Sequence, residues 1–393
     1  MNKIFLNLGL QPLANRLLDK KELKKKELKL PLKIQFNTKS FLVSLKNTVS
    51  SKEMFNDKYP YRSSSSKTIN NEYKKLSNKI KKTLKPKSVL EVGSNDGTFL
   101  KYFDKRTTVG IEPVKKHAKI TKKNGYFTYD NFWTIKLANQ IAKKYKKFDL
   151  IFSANTLSHI HDLDESIKAI KLLLNTNGTF ILEDPSLLKI ILNNAYDQFY
   201  DEHIYVFSTL ALKNILIKHN LEIYKIENLK THGGSNRYYI CKSGLKKIEK
   251  SFFNNIKNEK KSHLHKIIAY KNFSLRINNS RKNLKELLIK LKNNNKKIIG
   301  YGASAKSTLI FNYCKLTSSE VSYFTDSTKD KQNKYLPGVK IEIRKQPMNI
   351  TSDVDYSFLG AWNFYEEIKI KERNFLKNGG RFITHVPYPR ILK

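Results

Sequence analysis

Between about residue 76 and residue 243 the chain alternates short apolar runs with helix-like segments, and this alternation constrains the fold more than any other feature. KSVLEVG is followed by TFLKYF, TTVGIEP by a Lys-rich segment, FDLIFSAN by LDESIKAIKLLL, and GTFILED by LALKNILIKH. Parallel strands must be joined by crossovers, usually helical, so the pattern predicts a doubly wound α/β sheet covered on both faces. From about 245 to 295 apolar residues recur at spacings of three and four (Leu284, Leu287, Leu288, Leu291), which predicts one long amphipathic helix or a pair. KIIGYGA, VSYFTD, YSFLGAW and RFITHVP then resume the alternation. The expected organisation is a small N-terminal module over 1–75, an α/β domain over 76–243, a helical linker over 244–296 and a smaller α/β domain over 297–393.

No run approaches the ~20 apolar residues of a membrane span, and the N-terminus lacks the layout of a signal peptide. With Cys241 and Cys314 as its only cysteines the chain has no disulfide framework, and a cytoplasmic location is expected. The formal charge of +41 raises nucleic acid as a partner. Only ten of the 75 basic residues are Arg, however, and the 65 Lys are spread over the whole length. Arg carries most bidentate recognition of phosphates and base edges, so the excess reads as a solvated surface and no specific nucleic-acid partner is expected.

The strongest local signal is the strand, glycine turn and helix start in Val89-Leu90-Glu91-Val92-Gly93-Ser94-Asn95-Asp96-Gly97. A backbone without Cβ lets a ligand approach a helix N-terminus closely. The dinucleotide pattern G-x-G-x-x-G fails because Asn95 stands at the second glycine position, so NAD is disfavoured. Glu91 ends the first strand and Glu112 ends the next, about 20 residues on, where an acid accepts ribose hydroxyls. A nucleoside cofactor without a pyrophosphate is implied, and S-adenosylmethionine is favoured, with Glu91, Gly93, Asn95, Asp96, Gly97 and Glu112 as candidate contacts.

With LGLQPLAN, YPYRSSSS, EVGSNDGTFL, GIEP, SANTLSHIHDL, EDP, FYDEHIYVFS, GGSNR, GYGASAK and YLPG in this order, the chain resembles the class I methyltransferases that C-methylate nucleotide-linked 4-keto-deoxysugars. The resemblance implies a Rossmann-like class I methyltransferase core and a cytoplasmic enzyme making a branched-chain sugar. It also makes Asn155 a cofactor contact and puts His159 near the reacting sugar.

Forming a carbon–carbon bond from a sulfonium methyl requires a carbon nucleophile, most simply an enolate. That needs a base, donors for the enolate oxygen, and alignment. Tyr200, Glu202 and His203 supply such a set within one segment: His203 as base, Glu202 to orient it or bind a sugar hydroxyl, Tyr200 to hold the keto oxygen. The same residues also read as a hydrogen-bonded loop after a strand, and the resemblance favours the catalytic reading. Asp201 departs from the family, which often has His there, and Tyr61 matches a further active-site Tyr. O-methylation of a sugar or other small molecule is the alternative, since it needs the same cofactor site and a base but no acidic carbon.

In the family the first module resembles a zinc site built on cysteine pairs. Here the first pair would fall before residue 1 and the second falls on Asn37 and Ser40, which are poor zinc ligands, so no zinc and no other metal is expected. In the last domain Lys297–Ser307 again joins a strand to a helix through glycines, and Lys306 at the helix start suits a phosphate of the substrate, while a purely structural turn fits equally.

Overall fold

The computed structural model describes residues 1–392 and contains three sheets. The central one has seven strands, in the spatial order Leu221–Leu229, Ser235–Lys242, Leu174–Pro185, Phe148–Ala154, Val89–Val92, Thr108–Ile111, Phe127–Tyr129. The last five are mutually parallel, and Ser235–Lys242 runs antiparallel to both of its neighbours. Val89–Val92 and Thr108–Ile111 are buried at every position, which is why, Glu91 and Thr108 apart, they read as apolar runs. This is a Rossmann-like, doubly wound α/β sheet, and its switch point lies between Val89–Val92 and Phe148–Ala154.

The C-terminal domain repeats the plan. Its parallel core runs Glu342–Lys345, Phe324–Asp326, Ile298–Tyr301, Tyr356–Leu359, Arg381–Thr384, with an antiparallel strand at each edge. The linker is a pair of helices, Lys250–Lys261 and Ile267–Asn293, the second burying Tyr270, Phe273, Ile277, Leu284, Leu288 and Leu291 along one stripe. TFLKYF, read as helical, closes only one turn, Leu100–Tyr102.

The first sheet has four strands, Asn2–Pro12, Lys29–Asn37, Val43–Leu45 and Tyr205–Val206, the last lent by the central α/β domain. Its apolar face (Leu6, Leu8, Ile34, Phe36) joins one core with the long linker helix and the C-terminal domain, and Phe36 stacks on Tyr270 at 4.5 Å between centroids. The helix Lys67–Thr83 crosses the expected border at residue 75. Ile69, Tyr73, Leu76 and Ile80 pack with Phe99, Phe152 and Ile181, so this helix covers the central sheet.

Arg237, in the GGSNR segment, turns away from the cavity described below. Its guanidinium meets Glu183 at 2.9 Å and Glu227 at 3.1 Å, and Arg237 and Glu183 are both buried. Removing one partner of a buried pair strands the other charge, so Arg237→Ala is expected to lower stability by about 3–5 kcal/mol in urea denaturation.

Candidate active site

The carboxyl ends of the two parallel sheets face each other across a cavity of about 1060 Å³, lined by all three modules. Ligands of open α/β sheets bind at this edge.

At the methyltransferase edge, Gly93 has φ +79° and a Cβ there would lie 2.0 Å from Thr156 Oγ1, so no side chain fits. Asn95 has φ +49°, a conformation Asn tolerates, which explains how it replaces a glycine. Its N–H donates to Glu112 Oε2 at 2.9 Å, and Val114 N–H donates to Oε1 at 2.8 Å. Glu112 lines the cavity with Gly93, Asn95, Phe132 and Trp133, and burial pushes its carboxyl up to about 7. Asn155, also in the left-handed region, lines the same wall, its Nδ2 3.4 Å from His232 Nε2.

Three expected cofactor contacts lie elsewhere. Glu91, Asp96 and Gly97 are absent from the cavity wall. Glu91 is buried behind the turn. Asp96 accepts from Ser64 Oγ at 2.5 Å and Thr98 Oγ1 at 2.6 Å, and Gly97 backs onto Thr121. Asp96 and Gly97 shape the turn and its contacts. YPYRSSSS does more than form a polar loop: Ser63 N–H donates to Asn95 Oδ1 at 3.0 Å and Asn95 Nδ2 to the Tyr61 carbonyl at 3.3 Å, which lays Tyr61 along the cavity.

Tyr200, Glu202 and His203 line the middle of the cavity. His203 Nδ1 lies 2.6 Å from the Gln198 carbonyl. A carbonyl only accepts, so the proton sits on Nδ1 and the lone pair on Nε2. The imidazole stacks against His159 (5.1 Å) and lies tilted on Tyr200 (4.0 Å), and burial holds it well below its usual range, hence neutral. Burial lowers His159 to about 4 as well, and its ring also stacks on Phe55 at 5.6 Å.

Glu202 does not orient His203. Asn15 Nδ2 donates to Oε1 at 2.6 Å and Tyr59 OH to Oε2 at 3.2 Å. Burial, reinforced by neighbouring Asp201, raises the Glu202 carboxyl. Asp201 accepts from Ala14 N–H at 2.9 Å, and Ala14 O accepts from Thr308 Oγ1 at 3.0 Å, tying the segment that carries Glu202 and His203 to the C-terminal domain. Asn15 and Tyr59 sit in LGLQPLAN and YPYRSSSS, but nothing local marks them, because the contacts span 187 and 143 residues.

Lys306 enters from the opposite wall on the helix Ala305–Cys314, with Nζ 3.1 Å from Asn363 Oδ1 and 4.9 Å over the Trp362 ring. Asp326 here copies Glu112. It accepts from the glycine-turn amide of Ala303 at 2.9 Å and from Thr328 N–H at 2.8 Å, but Lys331 Nζ also approaches it at 3.3 Å.

The positions resembling zinc ligands are otherwise engaged. Asn37 Oδ1 accepts from Lys39 and Ser40 N–H at 3.0 and 2.9 Å, and its Nδ2 donates to Asn2 Oδ1 at 2.7 Å. These neutral groups do not fit a structural zinc. The residues at the glycine turn do fit S-adenosylmethionine: a carboxylate to accept from ribose hydroxyls, a glycine with no room for Cβ, and two aromatic residues beside them.

A doubly wound sheet with one strand reversed near its edge and an acid-capped glycine turn at its switch point defines a class I methyltransferase. Three family descriptions match in order: "putative zinc binding domain" over residues 2–55, "methyltransferase domain" over 65–226 and "C-methyltransferase C-terminal domain" over 230–387. C-methyltransferase NovU of Streptomyces niveus is 27% identical over 393 residues, covering 98% of this chain and 93% of NovU. The chain is an S-adenosylmethionine-dependent methyltransferase, and its module order and full-length relative are those of C-methyltransferases.

Among solved structures, the magnesium protoporphyrin IX methyltransferase of Synechocystis with bound SAH is 14% identical, with a TM-score of 0.34 over 44% of this chain and 83% of that one. An S-adenosylmethionine-dependent methyltransferase of Clostridium acetobutylicum is 16% identical, with a TM-score of 0.34 over 44% and 92%. Among the described residues no helix is long and apolar enough to cross a membrane.

Proposed function

We propose that the enzyme C-methylates a nucleotide-linked keto-deoxysugar beside its carbonyl. The observation that carries this reading is the neutral His203, with Nδ1 committed to the Gln198 carbonyl and Nε2 free, in the cavity between two α/β domains. Nε2 takes the proton beside the ketone, and the electron pair of that C–H bond becomes the enolate. The cofactor, when bound, supplies an electrophilic methyl group to that carbon. Tyr200 and Tyr61 are phenols facing the same space, and burial raises Tyr200 well above its usual range, so it stays a donor for the enolate oxygen. Glu202, held by Asn15 and Tyr59, offers a polar contact to a sugar hydroxyl, and His159 covers the base.

The opposite wall suits the nucleotide end. Lys306, Lys331 and Lys371 line it, and the start of the helix Ala305–Cys314 adds unpaired amides and a favourable dipole for a diphosphate. No role for nucleic acid follows from this cavity.

Solvent exchange separates this reading from O-methylation. In D2O without cofactor, a nucleotide-linked 4-keto-6-deoxysugar is expected to gain one deuterium beside the carbonyl; methylation of the sugar without that exchange would favour the O-methyl reading. We also read the N-terminal module as metal-free, folding on the apolar core it shares with Tyr270 and Phe273. Excess chelator is then expected to leave the melting temperature unchanged, and a drop would reveal a bound metal.

A further inference from the structure

Asp197 is completely buried five residues before Glu202, on the turn Tyr196–Gln198, and its carboxylate is gripped from the C-terminal domain. Trp362 Nε1–H donates to Oδ2 at 2.6 Å, and His385 Nε2 stands 3.2 Å from the same oxygen. The clamp is closely packed: His385 meets Tyr196 edge-on at 5.7 Å, and a Cβ on Gly233 would lie 2.2 Å from the Trp362 ring. The next residue, Gln198, is also buried. Its Nε2 donates to the His232 carbonyl at 2.7 Å, and its own carbonyl is the acceptor for His203 Nδ1 at 2.6 Å.

A base needs its lone pair on the nitrogen that meets the substrate, and in imidazole that is decided by what the other nitrogen donates to. Here the acceptor is a backbone carbonyl, which can select the tautomer only if its peptide is held still. That peptide is held by its own Phe199 N–H, which donates to the Tyr196 carbonyl at 3.1 Å, by the Gln198 side-chain amide and, one residue back, by the Asp197 carboxylate, and of these only the carboxylate reaches the C-terminal domain.

We propose that Asp197 is a positioning residue: clamped by Trp362, it fixes the Gln198 carbonyl, which keeps His203 in its Nδ1–H form. The proposal rests on the reading of His203 as base. It gives the C-terminal domain a part in proton abstraction, although the base lies in the methyltransferase domain.

The test uses the full chain labelled with 15N-histidine, with the His203 signals assigned through His203→Gln. In the unsubstituted protein, long-range 1H–15N spectra are expected to show His203 protonated on Nδ1 and bare on Nε2. Trp362→Phe keeps an aromatic ring but loses the N–H; both tautomers are expected, with deuterium uptake by a nucleotide-linked 4-keto-6-deoxysugar falling about tenfold or more. S-adenosylmethionine affinity is expected to stay within about threefold in this variant, less than half of one 1.4 kcal/mol decade. Asp197→Asn retains an oxygen for the indole and is expected to keep the Nδ1–H form, whereas Asp197→Leu is expected to lose it. If Asp197→Leu does not fold, Trp362→Phe decides. An unchanged tautomer and uptake in Trp362→Phe, or an Nε2–H form in the unsubstituted protein, overturns the proposal. An Nδ1–H form that Trp362→Phe disturbs, in a protein that exchanges no deuterium into the keto-sugar, upholds the positioning and removes only the substrate reading.

Discussion

His203→Ala is expected to reduce methyl transfer by about 10²–10⁴-fold, the range a positioned general base contributes. Cofactor affinity is expected to stay near its original value, because Glu112, Gly93 and Asn95 share no hydrogen bond with His203. His203→Gln tests the same point with less change in volume. Its amide can still meet the Gln198 carbonyl but offers no basic nitrogen, so the rate should stay low. Calorimetric titration with S-adenosylmethionine beside a mass-spectrometric rate assay separates the two effects. Loss of both binding and rate would mean that His203 holds the site together.

Glu112→Leu is expected to act on the cofactor itself. Hydrogen bonds to a charged group contribute about 1.5–3 kcal/mol each, so losing the two that ribose hydroxyls would make predicts a rise in Kd of about 100-fold or more. The substitution also strands the Asn95 and Val114 amides, and some loss of stability should accompany it. Glu112 carries a pH signature too. Burial raises its carboxyl to about 7, so the protonated form, a poorer acceptor, prevails below that pH. Affinity should therefore fall as pH drops through about 7 and level off above it. Glu112→Gln, uncharged throughout, should flatten that dependence. A pH-independent Kd in the unsubstituted protein would show that Glu112 does not hold the cofactor.

The alternation of strand and helix is enough to read two parallel sheets, because a strand buried on both faces is mostly apolar, as Val89, Leu90 and Val92 are around the buried Glu91. Glu112 was legible for a similar reason: strand position alone sends the acid to the carboxyl edge. Side-chain direction within the turn was not. Glu91 ends a strand as Glu112 does and Asp96 stands in the glycine turn between them, yet Ser64 and Thr98 claim Asp96, and the first of these contacts depends on where a loop 32 residues upstream comes to rest. Tyr59, Asn15 and Asp197 escaped for the same reason, since each becomes significant only through a contact more than 140 residues away. The helix Lys67–Thr83 runs across residue 75 because it follows directly on the serine cluster, with Ser66 as its cap, and its apolar stripe packs on a sheet that begins later in sequence.

The most direct measurement incubates the purified protein with S-adenosylmethionine and a small panel of nucleotide-linked 4-keto-6-deoxysugars and follows the products by mass spectrometry and carbon NMR. The account predicts one added methyl, attached to the carbon beside the ketone, on at least one member of the panel and absent with His203→Ala. A methyl found on oxygen, or a protein that binds the cofactor but leaves every keto-sugar unmethylated, would contradict it.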